Sequence, residues 1–150
     1  MRGVTVAVTV VCLLFFIIPV IAVTEDKYGY ITVKDMNITL EQGRAYIDIH
    51  YTLDEPTRLI VLLLGKQDLK NRLLRILNYE DAEFVHIGMD KASLIVKDVS
   101  YNYGRGVYWF PAHRFNIMIP SLRVVTPQTS RIFQATREIP NGIGYFDNPG

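Results

Sequence analysis

The chain has a single cysteine among its 150 residues, Cys12. One thiol excludes an internal disulfide and any site built from several thiolates. Histidine is also scarce: His50, His86 and His113 stand in three separate segments. No H-x-H, H-E-x-x-H or adjoining acidic cluster is present, so neither a metal nor another cofactor is expected. Charge of one sign is lacking too, with 16 basic against 15 acidic residues and no long basic run. That balance argues against nucleic acid as a partner. There is no low-complexity tract, internal repeat or Pro/Gly/Ser-rich linker, which leaves one domain as the expectation for the body of the chain.

The most local absence is that of charge between Val4 and Val23, the stretch VTVAVTVVCLLFFIIPVIAV. At a helical rise of about 1.5 Å per residue, some twenty residues match the ~30 Å hydrocarbon core of a bilayer. Residues 1–23 therefore read as a signal peptide or a membrane anchor. The signal-peptide reading takes Arg2 as the basic n-region, Val4 to Ile18 as the apolar core, Pro19 as its end and Ala22 as the cleavage point. The anchor reading keeps the same residues as a transmembrane helix. Arg2 before the stretch and Glu25 and Asp26 after it give both readings one orientation, with the N-terminus cytoplasmic and the remainder extracytoplasmic. Cys12 is a poor lipidation site, because Val11 precedes it and the apolar run continues beyond it. Arg2-Gly3 ahead of an apolar run resembles a pilin-type signal, although Val8 stands where such helices carry an acidic residue.

The remaining residues form patterns of period two. Ile31 and Val33 share one parity and Met36, Ile38 and Leu40 the other, which predicts a first strand with a bulge at Lys34-Asp35. Glu41-Gln42-Gly43 then reads as a hairpin turn into Arg44 to Leu53, where Ile47, Ile49, Tyr51 and Leu53 alternate with polar residues. Asp54-Glu55-Pro56 reads as a strand break, and the apolar run Leu59 to Leu64 as a central strand buried on both faces. Lys66 to Asn78 is the one helical pattern, with Leu69, Leu73, Ile76 and Leu77 on a single stripe and Lys70 at its edge. Further strands are expected over Ala82 to Met89, Ala92 to Tyr103, Val107 to Phe110, Phe115 to Ile119, Leu122 to Val125 and Ser130 to Glu138. Ile139 to Gly150 reads as an irregular tail. The expected fold is mainly β: an antiparallel, sandwich-like extracytoplasmic domain over residues 24–138 with one inserted amphipathic helix.

Sites of chemistry are sparse. Ser93, Ser100, Ser121 and Ser130 lack a G-x-S-x-G elbow or an S-x-x-K partner. Asp48 and His50, two apart on one strand face, are the best local pair for a carboxylate-oriented imidazole. Asn37-Ile38-Thr39 is a glycosylation sequon on the outward side of the first strand. The densest patch is YNYGRGVYWFPAHRF, which brings Tyr101, Tyr103, Arg105, Tyr108, Trp109, His113 and Arg114 together as candidate binding residues. Because strand neighbours alternate, Tyr108 and Phe110 must face away from Trp109, so half of these rings leave the core. Aromatic rings with polar tips and planar guanidinium groups suit contact with proteins or sugars.

These features point to a non-enzymatic extracytoplasmic module, tethered or secreted, that makes protein or glycan contacts at the cell surface. Two other classes fit parts of the pattern. A small extracytoplasmic hydrolase would use Asp48 and His50, and a pilin-like or filament-associated subunit would retain the N-terminal helix.

Overall fold

The computed structural model describes residues 29–147, and the signal or anchor segment lies outside the described residues. The described chain is mainly β, with nine strands in two sheets and two helices. In chain order the elements are β1 (Ile31–Glu41), β2 (Arg44–Leu53), α1 (Glu55–Leu64), α2 (Gln67–Leu77), β3 (Glu83–Ile87), β4 (Lys91–Val96), β5 (Tyr101–Gly104), β6 (Val107–Phe110), β7 (His113–Val125), β8 (Ser130–Ile139) and β9 (Ile143–Phe146). The large sheet runs β3-β4-β2-β1-β7-β8, and the small one β5-β6-β9.

The hairpin β1–β2 is the centre of the large sheet, and its alternation is the one the sequence carries. Met36, Ile38 and Leu40 are buried beside Ile47, Ile49 and Tyr51, whereas Thr39, Glu41 and Thr52 face out. The register shifts between Val33 and Asp35, so the parity change in the sequence is a bulge in the ladder. Ala92, Leu94 and Val96 of β4 extend the same buried face. One pair departs from the antiparallel expectation: β1 runs parallel to β7, from Met36↔Leu122 to Thr39↔Val125. The crossover between them is long and contains every element from β2 to β6. Pro120, expected to end a strand, sits inside β7 just ahead of this parallel stretch, where its missing N–H removes no bond to β1.

The core lies between the apolar face of the large sheet, the stripe of α2 and the inward face of the small sheet. Leu69, Leu73, Ile76 and Leu77 of α2 are fully buried, at about 1.5–3 kcal/mol each by transfer from water. Lys70 stays at the stripe's edge, its ammonium 5.2 Å from the centre of the Phe84 ring. The last carbonyls of α2 are capped from β7: Asn116 Nδ2 donates to Arg75 at 2.6 Å and His113 Nε2 to Leu77 at 2.7 Å. Asn78, in the left-handed conformation at φ 60°, returns the contact by donating to the Arg114 carbonyl at 2.9 Å.

Further expectations are corrected by the structure. Leu59 to Leu64 belongs to a helix, α1, and is no central strand; there are thus two helices rather than one. Asp54-Glu55-Pro56 is a helix start as well as a strand break: the Asp54 carboxylate accepts from the Thr57 N–H at 3.0 Å, Pro56 occupies the first turn, and Gly65 ends the helix at φ 87°. Four leucines in the run favour a helix over a strand. Ala92 to Tyr103 is divided between two sheets, because β4 ends at Val96 and β5 begins at Tyr101. The C-terminal segment is not irregular throughout. Ile143–Phe146 forms β9, which buries Ile143 and Tyr145 and completes the small sheet.

Candidate aromatic contact face

The small sheet is short, and cross-strand pairing decides which of its rings face solvent. Tyr101 of β5 lies opposite Trp109 of β6, and Trp109 lies opposite Gly144 of β9. Directly opposed residues share a face, so these three form one row across the sheet. Val107 and Phe146 form the next row on that face. The other parity is inward: Tyr108 opposes Tyr145 and Phe110 opposes Ile143. Tyr145, Phe110 and Ile143 are buried, whereas Tyr101 and Phe146 are about 60% exposed, at 62% and 58%, and Trp109 keeps 39%. Tyr103, at the β5 bulge, is exposed beside them. The result is an outward aromatic strip of Tyr101, Tyr103, Trp109 and Phe146.

Glycine gives the strip its flat centre. A Cβ on Gly144 would stand 3.3 Å from Trp109 Cε3, and one on Gly142 would stand 2.8 Å from Cζ2. The indole therefore lies against backbone. The inward rings fix the sheet to the body. Tyr108 and Tyr145 stack at 5.5 Å, and the Tyr145 hydroxyl accepts from Gly43 N–H at 3.2 Å while donating to Ser100 Oγ at 3.1 Å. Asp147 accepts from the Gln42 N–H, and Gln128 brackets the β9 edge by accepting from Phe146 N–H at 2.9 Å and donating to its carbonyl at 2.5 Å. At the hairpin tip Arg105 adopts φ 53°, and Asn102 accepts from Gly104 N–H at 2.8 Å. An Arg with exposed rings beside it is a polar element at the margin of the strip.

The seven residues proposed from the sequence separate into three groups. Tyr101, Tyr103, Arg105 and Trp109 come together on the strip and its tip. Tyr108 supports it from beneath. His113 and Arg114 open β7 and pair with β8, off the strip, with the His113 ring 6.3 Å from that of the inward-facing Phe110. His113 is taken up structurally: it stacks on Tyr79 at 4.3 Å, meets Phe115 edge-on at 5.0 Å, and is held below the usual histidine range by burial, against which the Leu77 carbonyl works. Phe146, Gly142 and Gly144 are contributors that sequence reasoning missed. The signal available for them was the alternation in Ile143-Gly144-Tyr145-Phe146.

The open polar face of the large sheet holds the other candidates. His50 Nδ1 lies 2.7 Å from Asp35 Oδ1, so the imidazole is oriented across the β1–β2 bulge and not by Asp48. Asp48 is engaged instead by the Ser93 hydroxyl at 2.5 Å and Lys91 Nζ at 3.3 Å. Its carboxyl is held below the ordinary carboxylate range, first by the Ser93 hydrogen bond and further by Lys91 and His50, against the opposing effect of burial. Asn37 is half-buried on the same face, opposite Asp48 on one side and Arg123 on the other. Among the described residues no group of three or more His, Cys, Asp or Glu side chains is placed to hold a metal.

No family model matches the sequence, no curated protein is similar to it, and no solved structure matches its fold.

Proposed function

We propose that the protein is a non-enzymatic, extracytoplasmic, sandwich-like module, tethered to the membrane or secreted, that binds a glycan chain of the cell surface through the Tyr101, Trp109 and Phe146 strip. The reading is supported above all by Trp109 lying against Gly142 and Gly144 while staying 39% exposed, since a planar apolar platform stacks on the C–H face of a sugar ring. Tyr hydroxyls and Arg105 at its margin supply hydrogen-bond donors for sugar hydroxyls. Its extracytoplasmic placement is supported by the uncharged stretch Val4 to Val23 and by Arg2 against Glu25 and Asp26. Asn37 in its sequon is a further proposed point of glycan attachment on the open sheet face.

Trp109 is the only tryptophan, so its emission reports directly on the strip. Titration with soluble cell-surface oligosaccharides is expected to give a saturable blue shift in the wild type, weakened in Tyr101→Ala and Phe146→Ala, which retain the fluorophore. Emission unmoved by every glycan series, together with a shift on adding a surface protein, would replace the glycan with a protein partner.

A further inference from the structure

Among the described residues, nothing covers most of the circumference of the apolar helix α1. Leu59, Ile60, Leu62, Leu63 and Leu64 are exposed at 57%, 47%, 71%, 73% and 81%, whereas Val61 is buried. At 100° per residue these five side chains occupy an arc of about 200° centred on Leu63, opposite Val61. An arc that wide and that apolar exceeds what a solvent-facing helix carries. The flanking charges lie at the two ends of the helix: Glu55 and Arg58, 3.8 Å apart, in the first turn, and Lys66 just past the last, its ammonium 2.5 Å from the Ile87 carbonyl. Met89, in the β3–β4 turn, joins Leu59 and Leu62 in lining a shallow depression beside it.

The position of α1 in the chain supplies the occupant. The carbonyl of Tyr30 accepts from the Asp54 N–H at 3.1 Å, and the Arg72 guanidinium lies 4.0 Å over the Tyr30 ring. The point at which the chain enters the described body is thereby fixed beside the N-cap of α1. Only six residues separate Tyr30 from Val23, the end of the uncharged stretch, so the two lie within roughly 25 Å along a fully extended chain. A bilayer that received Val4 to Val23 would have its surface within reach of α1. None of the described helices is long and apolar enough to cross a membrane, and the ten residues of α1 cover only about 15 Å. The aromatic strip sits at the other end of β1, where the Glu41-Gln42-Gly43 turn meets Tyr145.

We infer that α1 lies in the interface of the bilayer that holds Val4 to Val23, with Leu59, Leu62, Leu63 and their neighbours among the acyl chains. This rests on the tethered form of the reading above. The helix supplies a second attachment beside the first, and two attachments fix the orientation of a domain that one flexible link would leave free. Seated this way, the body turns β1 away from the membrane and carries Tyr101 and Trp109 outward.

The test uses the full chain with Cys12→Ser, an environment-sensitive fluorophore on Leu63→Cys, and a matched label on Tyr103→Cys, reconstituted in phosphatidylcholine vesicles. Both labelled positions are exposed, so neither change removes a core contact. The expected result is flotation with the vesicles, blue-shifted emission at position 63, and a roughly twofold or greater loss of that emission on adding nitroxide lipids, with position 103 unaffected. A floating chain whose position 63 is as open to aqueous iodide as position 103 overturns the inference and leaves the tether standing. Shielding from iodide without quenching by nitroxide lipids also overturns it, in favour of a second copy or another protein on α1. A full-length chain that does not float overturns the tether and the inference together. A label on Leu59→Cys repeats the measurement one turn away.

Discussion

The indole of Trp109 lies across Gly144 of the neighbouring strand, close enough that a methyl group there would meet Cε3 at 3.3 Å. Gly144→Val is therefore expected to lift the ring off the backbone without disturbing the inward face, where Tyr145 and Ile143 stay buried. The single-tryptophan emission should move to the red. Glycan affinity should fall by about three- to tenfold, the worth of one aromatic contact. An unchanged emission maximum would show that the indole does not depend on glycine beneath it. Gly142→Ala is a harsher change, because a Cβ there would stand 2.6 Å from the Phe110 carbonyl at a positive φ of 66°.

Tyr145 joins the two sheets through its hydroxyl. Tyr145→Phe keeps the buried ring and its stacking on Tyr108 but strips the acceptor from Gly43 N–H and the donor from Ser100 Oγ. Gly43 is itself buried, so its N–H is left without a partner, and a loss of about 1–3 kcal/mol is expected in denaturant unfolding. Amide exchange at Gly43 should accelerate in the variant. Equal stability of the two proteins would mean that the small sheet is held by ring packing alone.

Much of the large sheet was legible because its signal is local and periodic. Arg44 to Leu53 alternates cleanly, and the parity change at Lys34-Asp35 marks the bulge in the ladder. The stripe of α2 was equally plain. Leu59 to Leu64 misled because periodicity cannot separate a short buried strand from a helix when every position is apolar. The cap at Asp54 carried the answer, and the exposure of α1 goes against the rule that apolar runs are inside. The aromatic strip was half legible. Alternation within Tyr108-Trp109-Phe110 gave its facing, but Phe146 and Gly144 come to it through pairing across 35 or more residues, which no local pattern encodes. His50 illustrates the same limit: its nearest acidic neighbour in the strand is Asp48, yet the bulge delivers Asp35 to it.

His113 makes stability depend on pH. A carbonyl only accepts, so the 2.7 Å contact with Leu77 requires a proton on Nε2, and the neutral ring satisfies it. Burial lowers the folded-state value below the ordinary 6.5, so the unfolded chain binds the proton more readily. The fold is then fully favoured by this group above about pH 6.5, and that contribution is lost as pH falls from there through the folded-state value. Thermal melting at pH 7.5 and 5.5 should show a larger acid loss in the wild type than in His113→Gln. Comparing the two proteins isolates the contribution of His113. A variant that loses as much on acidification would assign the effect elsewhere.

Tyr79 offers a change in the opposite direction. Its ring stacks on His113 at 4.3 Å, but its buried hydroxyl has no hydrogen-bond partner among the described residues. Desolvation raises its ionisation far above the usual tyrosine range, so the group is a neutral phenol, taken out of water without a replacement bond. Removing the hydroxyl in Tyr79→Phe keeps the stack and relieves that desolvation. Stability should be unchanged or higher, by up to about 1–2 kcal/mol, because the cost of an unmade bond disappears with the group that failed to make it. Urea unfolding of the two proteins reads this directly, with the slope expected to be the same for both. A loss greater than about 1 kcal/mol would mean that the hydroxyl is bonded in solution. The same variant separates stacking from hydrogen bonding at His113: with Phe at position 79 the ring contact and the Leu77 bond both persist, so the acid sensitivity of the fold should survive.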